Sequence, residues 1–187
     1  MPSSKKVVTI LDVGGTESYW SDKIAMIKRD VHVTLLNIHQ VETSAANFLS
    51  VAGDARNMPQ FGDNQFDIVH SNSVIEHVGR WTDMVAMAQE VARVAPSYFV
   101  QTPYFWFPIE PHARTAFLHW LPEPIRYRIV MAFKCGFWSK CATVDSAMRT
   151  IQSSELIDIG MMKSLFPGSV IVKEKAFQLT KSIIAIK

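Results

Sequence analysis

With 187 residues, 48% of them hydrophobic and 19% charged, the chain has the composition of a folded domain rather than a disordered segment. A formal net charge of +2 is too small for a protein that works by neutralising nucleic-acid phosphates, so no nucleic-acid partner is expected. No stretch reaches the roughly 18 apolar residues that a membrane-spanning helix needs, and Met1-Pro2-Ser3-Ser4-Lys5-Lys6 lacks a secretory pattern, so a cytoplasmic protein is expected.

Val7-Val8-Thr9-Ile10-Leu11 reads as a buried parallel strand, short and rich in Val and Ile, with Asp12 at its carboxyl end. Gly14-Gly15 then allow a tight turn into a helix. In open α/β sheets ligands bind beyond the carboxyl ends of the strands, so a ligand site belongs here. A dinucleotide fingerprint would want a third glycine, and Glu17 at the helix start would repel a phosphate. A cationic nucleoside without phosphate suits the loop better, which disfavours a nicotinamide-dependent oxidoreductase.

Tyr19, Trp20, Ile24 and Ile27 share one helical face. Val31 to Ile38 is a second strand, ending at Asn37, and Phe48 to Asp54 a short third. A loop with Pro59 and Gly62 leads to a fourth, Phe66 to Ser71. A helix spans about Trp81 to Val94, with Trp81, Val85, Ala88 and Val91 on its buried face, and Tyr98-Phe99-Val100 is a fifth strand.

From Thr102 to about Ser139 the pattern changes to prolines among aromatic residues, too apolar for a solvent loop and too proline-rich for one helix. It reads as a lid insertion at about 102–140 with a helix near Ile125 to Phe133. Cys135 and Cys141 fit no metal-ligand spacing and read as free thiols, so no metal site is expected. Asp158 is a helix N-cap, with Pro167-Gly168 ending that helix. Val170 to Phe177 and Ser182 to Ile186 are joined by a short connection and should pair antiparallel. The expectation is one domain over 1–187. Its fold would be a Rossmann-like, doubly wound α/β sheet of seven strands, mostly parallel with a C-terminal antiparallel hairpin and helices on both faces.

Several stretches together resemble the class I S-adenosylmethionine-dependent methyltransferases of the methyltransferase type 11 group. They are Leu11-Asp12-Val13-Gly14-Gly15, Gly53-Asp54-Ala55 with Met58-Pro59, Phe66-Asp67-Ile68-Val69, and Ser71 to Val78, with the terminal strand pair. The resemblance implies S-adenosylmethionine as cofactor and roles for particular residues. Asp12 and the backbone at Gly14 and Gly15 would hold the methionine end, and Asn37 would meet the ribose hydroxyls. Ile38 would pack on the adenine, while Asp54 and the backbone of Ala55 would bond its edge. Ser71 and Asn72 would line the pocket near the sulfonium. The family usually has Asp or Glu where Asn37 stands, which would lower cofactor affinity because charged acceptors bond more strongly. Only about six residues precede the first strand, whereas many relatives carry an N-terminal helical cover. The lid would then be the main cover.

Methyl transfer to a hydroxyl or ammonium group also calls for a base. His77, Glu110 and His112 are the candidates, although each could instead tie down local backbone. His119, His70, His39 and His32 read as packing or surface residues. The expected activity is O- or N-methylation of a small-molecule or lipid-like acceptor. The alternative is a non-catalytic partner subunit of the same fold, motivated by Asn37. In the lid, Arg126, Arg128 and Lys134 alternate with apolar residues. Such a helix suits peripheral membrane contact or an apolar acceptor; packing on its own sheet or in a homodimer is the competing reading.

Overall fold

The computed structural model describes residues 7–27 and 29–187; the leader reading made on residues 1–6 lies outside them. In chain order the strands are β1 (Val8–Val13), β2 (Val31–Asn37), β3 (Phe48–Ala52), β4 (Ile68–Asn72), β5 (Ser97–Pro103), the short β6 (Ile109–Glu110) and β7 (Thr115–Ala116), β8 (Val170–Ala176) and β9 (Leu179–Ile186). The helices are α1 (Glu17–Met26), α2 (Trp81–Val94), α3 (Glu123–Ala132), α4 (Val144–Ile151) and α5 (Ile159–Leu165). Seven strands form one sheet in the order β3-β2-β1-β4-β5-β9-β8. The first five run parallel, and β9 enters antiparallel to β5 and β8. This matches the expected Rossmann-like sheet, with the terminal hairpin in place. Among the described residues no helix is long and apolar enough to cross a membrane.

Alternation along the strands sends side chains to two cores. On one face Leu11, Val13, Leu36, Val69 and Val100 meet Met84, Met87 and Val91 of α2 and Met162 of α5. On the other, Ile10, Val33 and Leu35 meet Trp20 of α1. At about 25 cal/mol per Å² of apolar surface, the first and larger of these cores supplies most of the burial energy. The wrapping is uneven: the β2–β3 and β3–β4 connections carry no helix, so α1 alone covers its face. Past β4 no helix covers that face, and Val170 and Val172 lie exposed on it. The strand order reverses between β1 and β4, where α/β sheets hold ligands.

The insertion between β5 and α5 extends past the expected 102–140. It holds the β6–β7 ribbon, α3 and α4, around a small core of Ala113, Leu118, Val130, Cys135 and Ile151. α4, which the sequence reading lacked, is capped where the Thr143 hydroxyl accepts from Ser146 N at 3.1 Å. The expected cap at Asp158 is present, accepting from Met161 N at 2.9 Å. Both cysteines are free thiols.

Candidate active site

At the carboxyl end of β1 the chain turns at Gly14, whose φ of +74° favours glycine and where a Cβ would meet Val74 Cγ2 at 2.4 Å. A Cβ on Gly15 would stand 1.6 Å from Asp12 Oδ2. Two clefts open beside this turn. One, of about 210 Å³, has Gly14, Asn37, Ile38, Asp54, Ala55 and His77 in its wall. The other, of about 100 Å³, is walled by Asp12, Gly14, Gly15, Tyr19, His70 and Asn72. Both include Val13 and Gly14, so Asp12 and Asp54 flank one turn from its two sides.

Asp12 is 1% exposed, and its carboxylate is committed inward. Oδ2 accepts the Trp20 indole N–H at 2.6 Å, and Oδ1 lies 2.7 Å from His70 Nδ1. His70 is itself held, with Nε2 3.2 Å from the Tyr19 hydroxyl and its ring stacked on Phe99 at 5.2 Å. Burial, with the Asp12 charge adding to it, raises the Tyr19 phenol above its ordinary pKa. The resemblance implies that Asp12 meets the ligand directly. Here it braces the glycine turn from beneath, while Trp20 and His70, read as packing residues, orient it.

Asn37 explains its own departure from an acidic residue. Its side-chain amide donates to Gly15 O at 3.0 Å, a bond that no carboxylate could make. The end of β2 is thereby tied to the glycine turn, and Oδ1 is left to accept. Ile38 is 65% exposed in the same cleft, an apolar shelf at its edge.

Asp54 is gripped by Arg56, with Nε 3.0 Å from Oδ1 and Nη2 2.6 Å from Oδ2. That bond holds the Asp54 carboxyl below its usual range, against the opposing pull of burial. Arg56 also reaches Val78 O and Asp83, so it links the third and fourth strand ends. The loop that follows is fastened to α2: Glu90 Oε2 accepts from Met58 N at 2.6 Å, and Arg93 donates to the carbonyls of Met58 and Phe61.

Two expectations fail here. Ser71 does not line the cleft: it is fully buried in the sheet with an unpartnered hydroxyl, because its place in β4 points it to the α2 face. Its neighbour Asn72, on the opposite face, borders the cleft instead. Glu17 does not guard the glycine loop either. Its carboxylate accepts from Ser44 N, the Ser44 hydroxyl and Ala45 N, which lowers its pKa and pins the β2–β3 loop.

Asn72 also walls a larger cavity of about 600 Å³, lined by Phe99, Tyr104, Phe107, Ile109 and Ile184, with Arg114, Lys181 and Glu174 among its polar residues. The segment from Tyr104 to Arg114 thus borders, together with Phe99 and Ile184 of the sheet, a mostly apolar chamber beside the cleft.

The three candidate bases meet where the lid docks on the turn after β4, the short 3-10 helix Ile75–His77. His112 Nδ1 lies 2.7 Å from Glu110 Oε1 and 3.2 Å from the Ser154 hydroxyl. Buried Glu110 also accepts from Ala113 N. His77 Nδ1 donates to Ser153 O at 2.7 Å. The two Nε2 atoms face each other at 3.1 Å. The Glu110 bond raises the His112 pKa despite burial. Glu76, 1% exposed, joins them unforeseen: Oε2 accepts the Thr102 hydroxyl at 2.9 Å, and Oε1 has no partner. Burial pushes its carboxyl up. His119, by contrast, bonds Phe105 O at 2.8 Å and supports the lid, as a packing residue would.

Residues 11–97, just under half of the chain, match the family model described as Methyltransferase domain. Among solved structures, the fold is similar to that of a SAM-dependent methyltransferase from Methanosarcina mazei (TM-score 0.59, 13% identity, 95% of this chain and 90% of that one). It is also similar to a Rhodobacter sphaeroides protein provisionally described as a Zn-dependent alcohol dehydrogenase (TM-score 0.60, 11% identity, 99% and 85%). A third is phosphoethanolamine N-methyltransferase 2 of Haemonchus contortus, solved with phosphomonomethylethanolamine and S-adenosylhomocysteine (TM-score 0.55, 12% identity). The chain covers 36% of that enzyme, itself matched over 92%. Identities this low establish the fold alone. No curated protein matches the chain in sequence.

Proposed function

We propose, for a chain that belongs to the class I S-adenosylmethionine-dependent methyltransferases, methyl transfer to the oxygen or nitrogen of a small, largely apolar or lipid-like acceptor. The observation that carries this reading is Asn72, which walls both the cleft at the glycine turn and the apolar chamber of about 600 Å³. A donor in the first and an acceptor in the second would meet there.

S-adenosylmethionine, when bound, supplies a methyl group on a cationic sulfur, and the rest is alignment in a dry site. The residues present fit that group. The Gly14-Gly15 turn leaves space where a side chain would collide, and no phosphate needs to be accommodated. Asn37 Oδ1 would accept from a ribose hydroxyl. Arg56 makes four contacts with the Asp54 carboxylate, so an exocyclic amine would bond there by displacing part of that grip. Ile38 would lie against the adenine ring, with the Ala55 N–H turned to its edge. Asp12 acts through the turn that it braces.

Phe99, Phe107 and Ile184 would exclude water from the acceptor. The His77–His112 pair, backed by Glu110, would take up the acceptor's proton. The lid's exposed Trp106, Phe117 and Trp120 would meet a membrane surface, where a lipid-like acceptor partitions, and the enzyme itself would be cytoplasmic.

The test is release of S-adenosylhomocysteine from S-adenosylmethionine in the presence of phenols, amines and single-chain lipids. Turnover with one class, abolished in Ile184→Trp with cofactor affinity retained, supports the reading. A chain that binds S-adenosylmethionine but turns over with none of them would favour the partner-subunit reading instead.

A further inference from the structure

We propose that His77, His112 and Glu76 form a binding site for a divalent transition-metal ion with the donor preferences of Zn²⁺. The argument starts from the ring nitrogens. A backbone carbonyl can only accept, so the 2.7 Å contact to Ser153 O fixes the proton of His77 on Nδ1. His112 Nδ1 points at the Glu110 carboxylate from 2.7 Å, which fixes its proton there too. Each Nε2 of the neutral rings is then a bare lone pair, yet the two face each other at 3.1 Å. Such a pair is reconciled either by a proton on one ring, which turns that nitrogen into a donor, or by a metal ion bound to both.

The spacing suits a metal. Zinc binds imidazole nitrogen at about 2.0–2.1 Å, so a nitrogen pair 3.1 Å apart subtends about 100° at such an ion, close to tetrahedral. An independent observation points to the same place. Glu76 is 1% exposed, and its Oε1 has no hydrogen-bond partner, the costly state for a buried carboxylate. One ligand atom from each of the three residues lies within 4.8 Å of the others. To close the remaining gap the carboxylate would have to turn about its soft terminal torsion, at the expense of the Thr102 bond to Oε2.

The outer groups are also those of a metal site. Ligating histidines usually donate their other N–H to a carboxylate or a carbonyl, and here Glu110 and Ser153 O fill those roles. Two histidines and one carboxylate leave a fourth position open, as in catalytic zinc sites. An ion here would clamp the lid, through His112, to the turn after β4. It would also stand beside the cleft that His77 borders, with the open position free for a water. The ligands are spread over 76, 77 and 112, so their spacing in sequence matches no metal motif.

Ion binding does not depend on S-adenosylmethionine binding, since a chain that binds no cofactor could still hold the ion. With both Nε2 lone pairs on the metal, the pair would no longer take up the acceptor's proton, and the ion would replace that role. The test uses the full chain, stripped with a chelator and titrated with Zn²⁺ alone against a competing chromophoric chelator. A Co²⁺ titration then reads coordination geometry from visible absorption. The expected result is one equivalent of Zn²⁺ per chain and an intense Co²⁺ band that Zn²⁺ displaces. Affinity should fall by at least tenfold in both His77→Ala and Glu76→Gln, while the exposed control His39→Ala binds as the parent does. His77, itself exposed, can be replaced with little risk to folding, and circular dichroism checks each variant. Binding below one equivalent, or a Co²⁺ spectrum indifferent to His77→Ala, would overturn the proposal and leave a proton shared between the rings.

Discussion

Asp12 Oδ2 accepts the indole N–H of Trp20 at 2.6 Å, beneath the glycine turn, in a site from which water is excluded. Charge-assisted bonds of this kind are stronger than neutral ones, and a buried carboxylate left short of a donor costs about 1–3 kcal/mol. Trp20→Phe keeps much of the ring but removes the donor. It should lower unfolding stability by about that amount, read by chemical denaturation, and weaken S-adenosylmethionine binding through the loosened turn. Unchanged stability would mean that His70 alone suffices to hold Asp12.

Gly15→Ala puts a methyl group where Asp12 Oδ2 lies, 1.6 Å from it, so the carboxylate or the turn must shift. The expected outcome is a folded protein whose affinity for S-adenosylmethionine falls at least tenfold, about 1.4 kcal/mol. Calorimetry would check it. Parent-like affinity would show that the ligand does not touch this turn.

Arg56, which borders the same cleft, positions Asp54, and its other contacts reach Val78 O and Asp83. Arg56→Ala should weaken cofactor binding less than Asp54→Ala does, because the acceptor remains but loses its orientation. The pair is partly exposed, so its effect on stability should be within about 1 kcal/mol. A larger loss of affinity for Arg56→Ala than for Asp54→Ala would reverse the assignment.

Glu90 makes the loop after Asp54 acid-sensitive. Its bond to Arg93, first, and to Met58 N hold its carboxyl below the usual value, against desolvation. A depressed folded-state pKa contributes stability above the unfolded value, near 4.3, that is lost as pH falls through the folded pKa. Thermal unfolding should therefore show a decline on the acid side of about pH 4.3 that is shallower in Glu90→Gln. Identical acid limbs for the two proteins would remove Glu90 from the account.

The sheet was legible because its signals are local. Val-rich runs ending in Asp12, Asn37 and Asp54 mark parallel strands, and the short link before β9 forces an antiparallel partner. α4 carried a readable signal as well: Thr143 with Ser146 for the cap, and Val144, Ala147, Met148 and Ile151 at helical spacing. The aromatic lid pattern around it masked this. Ser71 and Asn72 cannot both meet the cleft, because adjacent strand residues face opposite ways, and only pairing with β1 decides which of them does. The Asn37 bond to Gly15 O and the meeting of Glu76 with His112 join positions 22 and 36 residues apart, so no spacing rule announces them.

The account rests on the glycine turn and the strand ends around it receiving one cationic nucleoside. Calorimetric titration of the whole chain with S-adenosylmethionine, repeated with Asp54→Ala, tests this most directly. The account predicts saturable binding at one site per chain, at least tenfold weaker in the variant with its fold intact. Absence of saturable binding by the parent chain, or equal affinity in the two proteins, would contradict it.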